Sequence, residues 1–279
     1  MPSCKNLVSV IIPTYNEAQV IERLLKSIKQ QTYSPIETIL VDDGSHDSTV
    51  KIGRKFTKNV FKRKHAERSV QRNYGAKKSK GQYLLFLDAD MELSPKVIAD
   101  CVKTVQENKK TGAITIPEES VASSFWERVK AYERTFYNLE GDEQTDAARF
   151  FTREAYKKAW GYDETITGPE DWDLPERIRK LGYEISRIQS KIKHYERVQN
   201  PIKLAKKKFY YGLKSYRYFE KHNIPLVGQK TVYFLRPVFY KNWKKLLTNP
   251  VLAISMFTML GFEQIGGGLG YLIGKYKNL

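Results

Sequence analysis

Leu7-Val8-Ser9-Val10-Ile11-Ile12-Pro13-Thr14-Tyr15-Asn16-Glu17 opens on a short run dominated by branched apolar residues and breaks at Pro13 into a polar turn. Such a run, apolar on successive residues, predicts a strand buried on both faces, as in the middle of a parallel sheet. Two later segments repeat the design. Residues 37–41 lead into Asp42-Asp43-Gly44-Ser45, and residues 83–87 lead into Asp88-Ala89-Asp90. Helix signals lie between them. Asn16 and Gln19 have the spacing of a reciprocal N-terminal cap, followed by Val20, Ile21, Leu24, Leu25 and Ile28 at helical intervals. A second helix is expected from near Asp47, carrying Val50, Ile52 and Phe56. Strands alternating with helices predict an α/β protein with a mostly parallel sheet flanked by helices. Ligands of such sheets bind outside the C-terminal strand ends, where all three polar turns fall.

Further along, the patterns predict an amphipathic helix over 125–137, a short strand at 149–152, a helix over 170–180 and a strand at 183–188. Beyond Pro201 the composition shifts to Lys, Tyr and Phe, so a boundary is placed there, with residues 1–200 as one domain and 201–279 as a basic, amphipathic helical extension. The first domain divides near residue 112. At 279 residues the chain is long enough to bury a full core. Cys4 and Cys101 are too few for a disulfide framework and form no CxxC pair, which predicts a reducing, intracellular setting. The apolar run at 7–12 is too short for a signal peptide.

The net charge of +17 is unevenly spread: from Lys191 to Lys245 there are 15 Lys/Arg against two acids, leaving 33 basic and 29 acidic residues elsewhere. A basic segment of this density suits nucleic acid or an anionic membrane surface.

Asp88-Ala89-Asp90 places two carboxylates one residue apart at a buried strand end, a hard oxygen site for Mn²⁺ or Mg²⁺; the alternative is a pair of solvated loop acids. Asp42 and Asp43 can accept hydrogen bonds from a nucleobase or ribose, whereas Gly44, Ser45 and Asp47 are equally explained by turn and cap geometry.

Five motifs occur in order: Pro13-Thr14-Tyr15-Asn16-Glu17, Asp42-Asp43-Gly44-Ser45-His46-Asp47-Ser48-Thr49, Arg72-Asn73-Tyr74-Gly75-Ala76, Asp88-Ala89-Asp90 and Glu170-Asp171-Trp172-Asp173-Leu174. Over about residues 7–200 the chain resembles the inverting nucleotide-diphospho-sugar glycosyltransferases called family two. That resemblance implies a Rossmann-like catalytic domain of the GT-A type, with donor binding before residue 112 and the acceptor side and base after it. Tyr15 would stack on the base and Asp43 bond its edge with Asp42 nearby, while Pro13, Thr14 and Glu17 line base and ribose. Arg72 would reach the diphosphate or ribose, Asp88 the ribose or metal, and Asp90 would be the principal metal ligand. His194 sits where many relatives complete the metal shell. Asp171 resembles the general base, its pKa raised by Glu170, with Glu170 and Trp172 on the acceptor side and Asp173 anchoring the start of a helix. One departure stands out: Trp160-Gly161-Tyr162-Asp163-Glu164 replaces the usual Gly-Gly-Phe-Asp-Glu, so the acceptor edge is expected to differ.

The tail interleaves Lys/Arg with aromatics from 203 to 245, then runs uncharged from Val251 to Phe262 until Glu263 and Gln264 interrupt it. The uncharged run is shorter than the ~20 residues a spanning helix needs, which predicts a peripheral or shallowly inserted segment at the cytoplasmic face of a membrane with anionic lipids. By analogy the acceptor would be a lipid-linked saccharide. Formation of a polyprenyl-phosphate sugar is an alternative, as is a nucleotidyltransferase, although Pro13-Thr14-Tyr15-Asn16 is not the glycine-rich loop of the latter. A nucleic-acid-binding protein would explain the charge but not Asp42, Asp43, Asp88 and Asp90, which repel phosphate, so no nucleic-acid partner is expected.

Overall fold

The computed structural model describes residues 6–137, 147–229 and 231–278, so Cys4 lies outside the described residues. The elements run β1 (Val8–Thr14), α1 (Ile21–Lys29), β2 (Ile36–Asp42), α2 (Thr49–Gly53), β3 (Val60–Lys62), α3 (Arg68–Lys78), β4 (Tyr83–Phe86), β5 (Met91–Leu93) and α4 (Val97–Glu107). They continue with β6 (Thr111–Thr115), β7 (Glu118–Val121), α5 (Phe125–Arg134), β8 (Ala148–Thr152), α6 (Arg153–Lys158), α7 (Glu170–Lys180), β9 (Glu184–Arg187) and β10 (Ile192–Tyr195). The last part is helical: α8 (Pro201–Lys221), a 3₁₀ turn (Tyr233–Leu235), α9 (Pro237–Lys241), α10 (Trp243–Thr248) and α11 (Pro250–Lys277). The chain forms two compact units: Met1–Glu118 with Ala147–Glu164 and Asp171–His194, and Glu119–Asp146 with Thr165–Glu170 and Tyr195–Leu279.

Unit one is built on a seven-stranded sheet in the order β3-β2-β1-β4-β8-β6-β9. It is mostly parallel as expected; β8 alone runs against its neighbours β4 and β6. Alternation along β1 explains its continuous apolar reading: Val8, Val10 and Ile12 enter the core shared with α1 and α4, while Ile11 enters the core on the other face with Phe86 and Leu174. Strand order reverses between β1 and β4, the point where an open α/β sheet offers a crevice. Gly75 lets α3 lie close over β1, since a Cβ there would stand 2.4 Å from Ile11 Cγ2.

Two expectations about helix starts change, and one about a helix's extent. Asn16 does not cap α1, which begins at Ile21 without a side-chain cap. Asn16 adopts φ 55°, a left-handed conformation that Asn tolerates, and it ties the first polar turn to the second. Its N–H donates to Ser45 Oγ (2.9 Å) and its Oδ1 accepts from the His46 N–H (2.9 Å). Asp47 likewise serves the turns, accepting from the backbone of Ala18 and Thr49, so α2 starts at Thr49 and Phe56 lies beyond its end. Asp173 lies inside α7 instead of anchoring its start, and pairs with Arg177 one turn on (2.7 Å).

Unit two gathers α5 with the C-terminal helices around Val129, Phe136, Phe239, Met256, Met259 and Leu260. Both long helices start on an Asn-Pro step: Asn200 Oδ1 accepts from the Lys203 N–H (2.8 Å) and Asn249 Oδ1 from the Leu252 N–H (3.2 Å). The apolar stretches on either side of Glu263 join into one helix of 28 residues, longer than the interrupted pattern predicts, because Glu263 is buried within the unit. Among the described residues α11 is the one helix long and apolar enough to cross a membrane by length and composition.

Candidate active site

The ends of β1, β2 and β4 carry the predicted donor residues to one rim of unit one. Thr14 closes β1, Asp42 closes β2, and Asp88 to Asp90 follow β4. Three polar atoms there are buried without a hydrogen bond within the protein: Thr14 Oγ1, Asp42 Oδ1 and Asp90 Oδ1. Each such atom costs roughly 1–3 kcal/mol in a folded chain, so their clustering at strand ends marks a place prepared for a polar ligand.

Asp43 is nearly buried, yet both its oxygens are engaged. Oδ1 accepts from the Ala66 N–H (2.9 Å) and from Gln71 Nε2, while Oδ2 faces His65 Nδ1 (2.7 Å). Burial pushes the Asp43 carboxyl above its ordinary value against the pull of these hydrogen bonds. His65, which carries no motif signal, lies 5.0 Å from the exposed Tyr15 ring. Tyr15 and Asp43 are thereby brought to the same place through a residue that the sequence left without a role. Pro13 and Glu17 are half-buried beside them, and the Glu17 N–H donates to Thr49 Oγ1 (2.8 Å).

The second half of the rim is a chain of charges. Arg72, 1% exposed on α3, donates from Nη1 to Asp171 Oδ1 (2.5 Å) and from Nη2 to Asp88 Oδ1 (3.1 Å). Its guanidinium lies 5.0 Å from the centre of the Tyr162 ring. Arg149 on β8 donates to Asp88 Oδ2 (3.3 Å) and to Glu118 Oε1 (2.6 Å). Glu118 Oε2 in turn meets His194 Nδ1 (2.8 Å), and His194 Nε2 lies 3.6 Å from Asp90 Oδ1. Burial alone would raise the Asp88 carboxyl; Arg149 and Arg72 outweigh it and hold the group well below the carboxylate range. Glu118 and Arg149 were not legible as site residues. Arg149 reaches its partners across 31 and 61 positions of sequence, with no motif to announce it.

This arrangement can be tested against a divalent cation. A carboxylate binding His194 through Nδ1 orients the ring so that Nε2 is presented outward, the usual support of a metal-binding imidazole. Two ligands each about 2.1 Å from one ion lie about 3 Å apart at a right angle and further apart as the angle opens. The Asp90–His194 spacing of 3.6 Å and the unpartnered Asp90 Oδ1 fit that geometry. Both Asp88 oxygens face arginines, and among the described residues no three His, Cys, Asp or Glu side chains form a metal cage. Two protein ligands with the rest from phosphate and water is the habit of Mg²⁺-type sites.

Asp171 and Trp172, both half-buried, and buried Glu170 form the first turn of α7, where Pro175 has no N–H to give the Asp171 carbonyl. Asp173 and Arg177 have a positioning part: Arg177 donates to Gly161 O (2.7 Å) and to Ala159 O, gripping the loop between them. That loop holds Trp160 at φ 63° with its side chain 90% exposed, so the departure from glycine is a real change of shape at this edge. Asn73 pins Tyr162 from both sides, accepting from its N–H (2.9 Å) and donating to its carbonyl (2.9 Å).

A mostly parallel sheet with acid-lined turns at its switch point defines a GT-A-type nucleotide-sugar transferase fold. The profile described as glycosyl transferase family 2 matches residues 9–163, and the chain belongs to that family. The profile described as the N-terminal domain of galactosyltransferase matches residues 128–201, the stretch that holds Asp171 and His194. Among curated relatives, an uncharacterized glycosyltransferase, YibD, of Escherichia coli is 35% identical over 34% of this chain and 29% of its own length. The poly(ribitol-phosphate) beta-N-acetylglucosaminyltransferase TarP of Staphylococcus aureus is 35% identical over 36% of this chain and 33% of its own. The matches thus span about a third of these relatives' lengths. Among solved structures, the mannosyltransferase PcManGT of Pyrobaculum calidifontis, in complex with GDP-Man and Mn²⁺, superposes with a TM-score of 0.57 at 18% identity, covering 100% of this chain and 82% of that one. S. aureus TarS 1-349 gives a TM-score of 0.55 at 16% identity, covering 97% and 91%. At these identities the likeness is one of fold.

Proposed function

We propose that the protein is a metal-dependent inverting glycosyltransferase that moves a sugar from a UDP- or GDP-sugar to an acceptor hydroxyl, on a lipid-linked or free saccharide. The observation that carries this reading is the continuous polar chain Asp171–Arg72–Asp88–Arg149–Glu118–His194–Asp90 at the sheet's switch point. The family membership supports it, as do the nucleotide sugars in the solved relatives, GDP-Man with PcManGT and UDP-GlcNAc with TarS.

Tyr15 offers its exposed ring to the base, and Asp43 accepts the base edge beside His65, since a carboxylate has about four lone-pair sites. Thr14 and Asp42 contribute their unpartnered oxygens to the nucleoside. Asp90 and His194 would hold Mn²⁺ or Mg²⁺, which supplies charge neutralisation of the departing diphosphate. Arg72 lies between the two halves of the chemistry, touching both Asp88 and Asp171. It takes Asp171 Oδ1 and leaves Oδ2, on a side chain 24% exposed, to accept the acceptor hydroxyl proton. Glu170 and Trp172 flank that position on α7 and are assigned to the acceptor side.

Calorimetric titration of UDP and GDP, with and without Mn²⁺, tests the reading. The wild type should bind one nucleotide in a metal-dependent way. Asp90→Asn should lose that dependence, while Asp171→Asn should bind normally and lose transfer by about 10²–10⁴-fold. No binding of either nucleotide by folded wild type would overturn it.

A further inference from the structure

Helix α11 presents two apolar faces, and among the described residues only one of them is buried within unit two. Ala253, Met256, Met259, Leu260, Glu263, Gly266, Gly270 and Gly274 are buried. On the other side Val251, Ile254, Phe262, Ile265, Leu269, Leu272, Ile273 and Tyr276 are exposed. Steps of three and four residues, with Thr258 filling the long gap, place them in one stripe. At 1.5 Å per residue the stripe is about 37 Å long. Isolated exposed apolar residues need no explanation, but a continuous stripe of this length does.

The helix packed alongside the stripe points to what covers it. Gly266, Gly270 and Gly274 bring the α11 backbone against α8. A Cβ at these positions would stand 2.2, 2.1 and 1.9 Å from the carbonyl oxygens of Ala205, Phe209 and Leu213. The two helices therefore run parallel, one turn of α11 for each turn of α8, locked at backbone distance. Helix α8 carries Lys203, Lys206, Lys207, Lys208, Lys214, Arg217 and Lys221 against one acid, Glu220. Glu263 sits on the locked face, held by Lys130 Nζ (2.8 Å) and Lys208 Nζ (3.1 Å). A bilayer-spanning α11 would drag this cationic helix into hydrocarbon. Lying flat, α11 instead sinks its stripe into the acyl boundary with a cationic helix alongside, the pattern of interfacial helices on anionic lipids.

We propose that unit two docks on an anionic membrane surface through the exposed stripe of α11, which lies in the interface and does not span. The proposal rests on unit two alone and not on the transfer reaction, so nucleotide calorimetry and membrane binding fail separately.

The test is cosedimentation of the full chain with phosphatidylcholine vesicles, with and without phosphatidylserine, followed by carbonate extraction. The wild type should pellet with the anionic vesicles, lose binding in high salt and be released by carbonate. Ile265→Glu and Leu269→Glu, at exposed positions, should each weaken binding about tenfold or more with unchanged circular dichroism and Mn²⁺-dependent nucleotide binding. Resistance of the wild type to carbonate would overturn the flat orientation. Failure of the folded wild type to bind vesicles would overturn the proposal. So would a concentration-dependent dimer abolished by the same substitutions, since a second copy would then cover the stripe.

Discussion

Glu118 carries no motif, yet it accepts from Arg149 and faces His194 Nδ1 at 2.8 Å, with His194 Nε2 turned toward Asp90. Removing it should leave the Asp90 ligand in place and free the imidazole to rotate. Glu118→Ala is therefore expected to weaken Mn²⁺ binding about 10–100-fold, with Glu118→Gln losing less because its carbonyl still accepts from Nδ1–H. Manganese EPR titration of the nucleotide complex reads this directly; equal affinity of Glu118→Ala and wild type would remove Glu118 from a positioning role. The residues legible in the sequence were those in runs: Asp42-Asp43, Asp88-Ala89-Asp90 and Glu170-Asp171 each announce themselves beside a strand or helix signal. Glu118, Arg149 and His65 did not, because what assigns them is contact across tens of positions. Glu118-Glu119 also follows an apolar run, but a Glu pair there has many ordinary explanations until β8 and β10 bring Arg149 and His194 to Glu118.

At the level of elements, the buried ions of unit two make the clearest demands. Lys130 on α5 holds both Glu133 (2.5 Å) and Glu263 (2.8 Å). Lys130→Ala would take from two buried carboxylates their shared cation, leaving Lys208 on Glu263, and should destabilise unit two by about 3–5 kcal/mol, measured as a lowered urea midpoint. Burial alone would raise the Glu263 carboxyl, but Lys130 and Lys208 outweigh it and bring it down to about 2. A depressed folded value means that this stabilisation is complete above the ordinary 4.5 and is lost as pH falls from there toward about 2. Over that window the wild type should lose a component of stability that Glu263→Gln lacks. The glycine lock makes a separate demand. A methyl at Gly270 would meet the Phe209 carbonyl at 2.1 Å, so Gly270→Ala should cost about 1–3 kcal/mol, where alanine ordinarily favours a helix. Five of the seven strands of the large sheet (β1, β2, β4, β8 and β9) and α7 were legible because their periodicity is local. The true extent of α11 was not, since Glu263 reads as an interruption until α5 and α8 supply its cations.

For the molecule as a whole, composition locates the change of chemistry near Pro201 but not the division into compact units. Residues 119–137 and 165–170 cluster with the C-terminal helices, and α5 carries a part of their core, Val129, that no shift in residue type marks. The two units also differ in what stabilises them. Unit one holds the unpartnered oxygens and the Asp90–His194 pair that a nucleotide and cation would satisfy, whereas unit two holds the Lys130–Glu263–Lys208 ions. Chemical denaturation of the full chain should therefore show two transitions. Nucleotide with Mn²⁺ at about 100 times its Kd should raise one by about 2.7 kcal/mol and leave the other unmoved. Lys130→Ala should lower the second and spare the first. Tryptophan fluorescence separates them, because Trp160 belongs to unit one and Trp126 and Trp243 to unit two. A single transition moved by ligand and by Lys130→Ala alike would instead mean that the units unfold as one, with the energy of donor binding delivered to both.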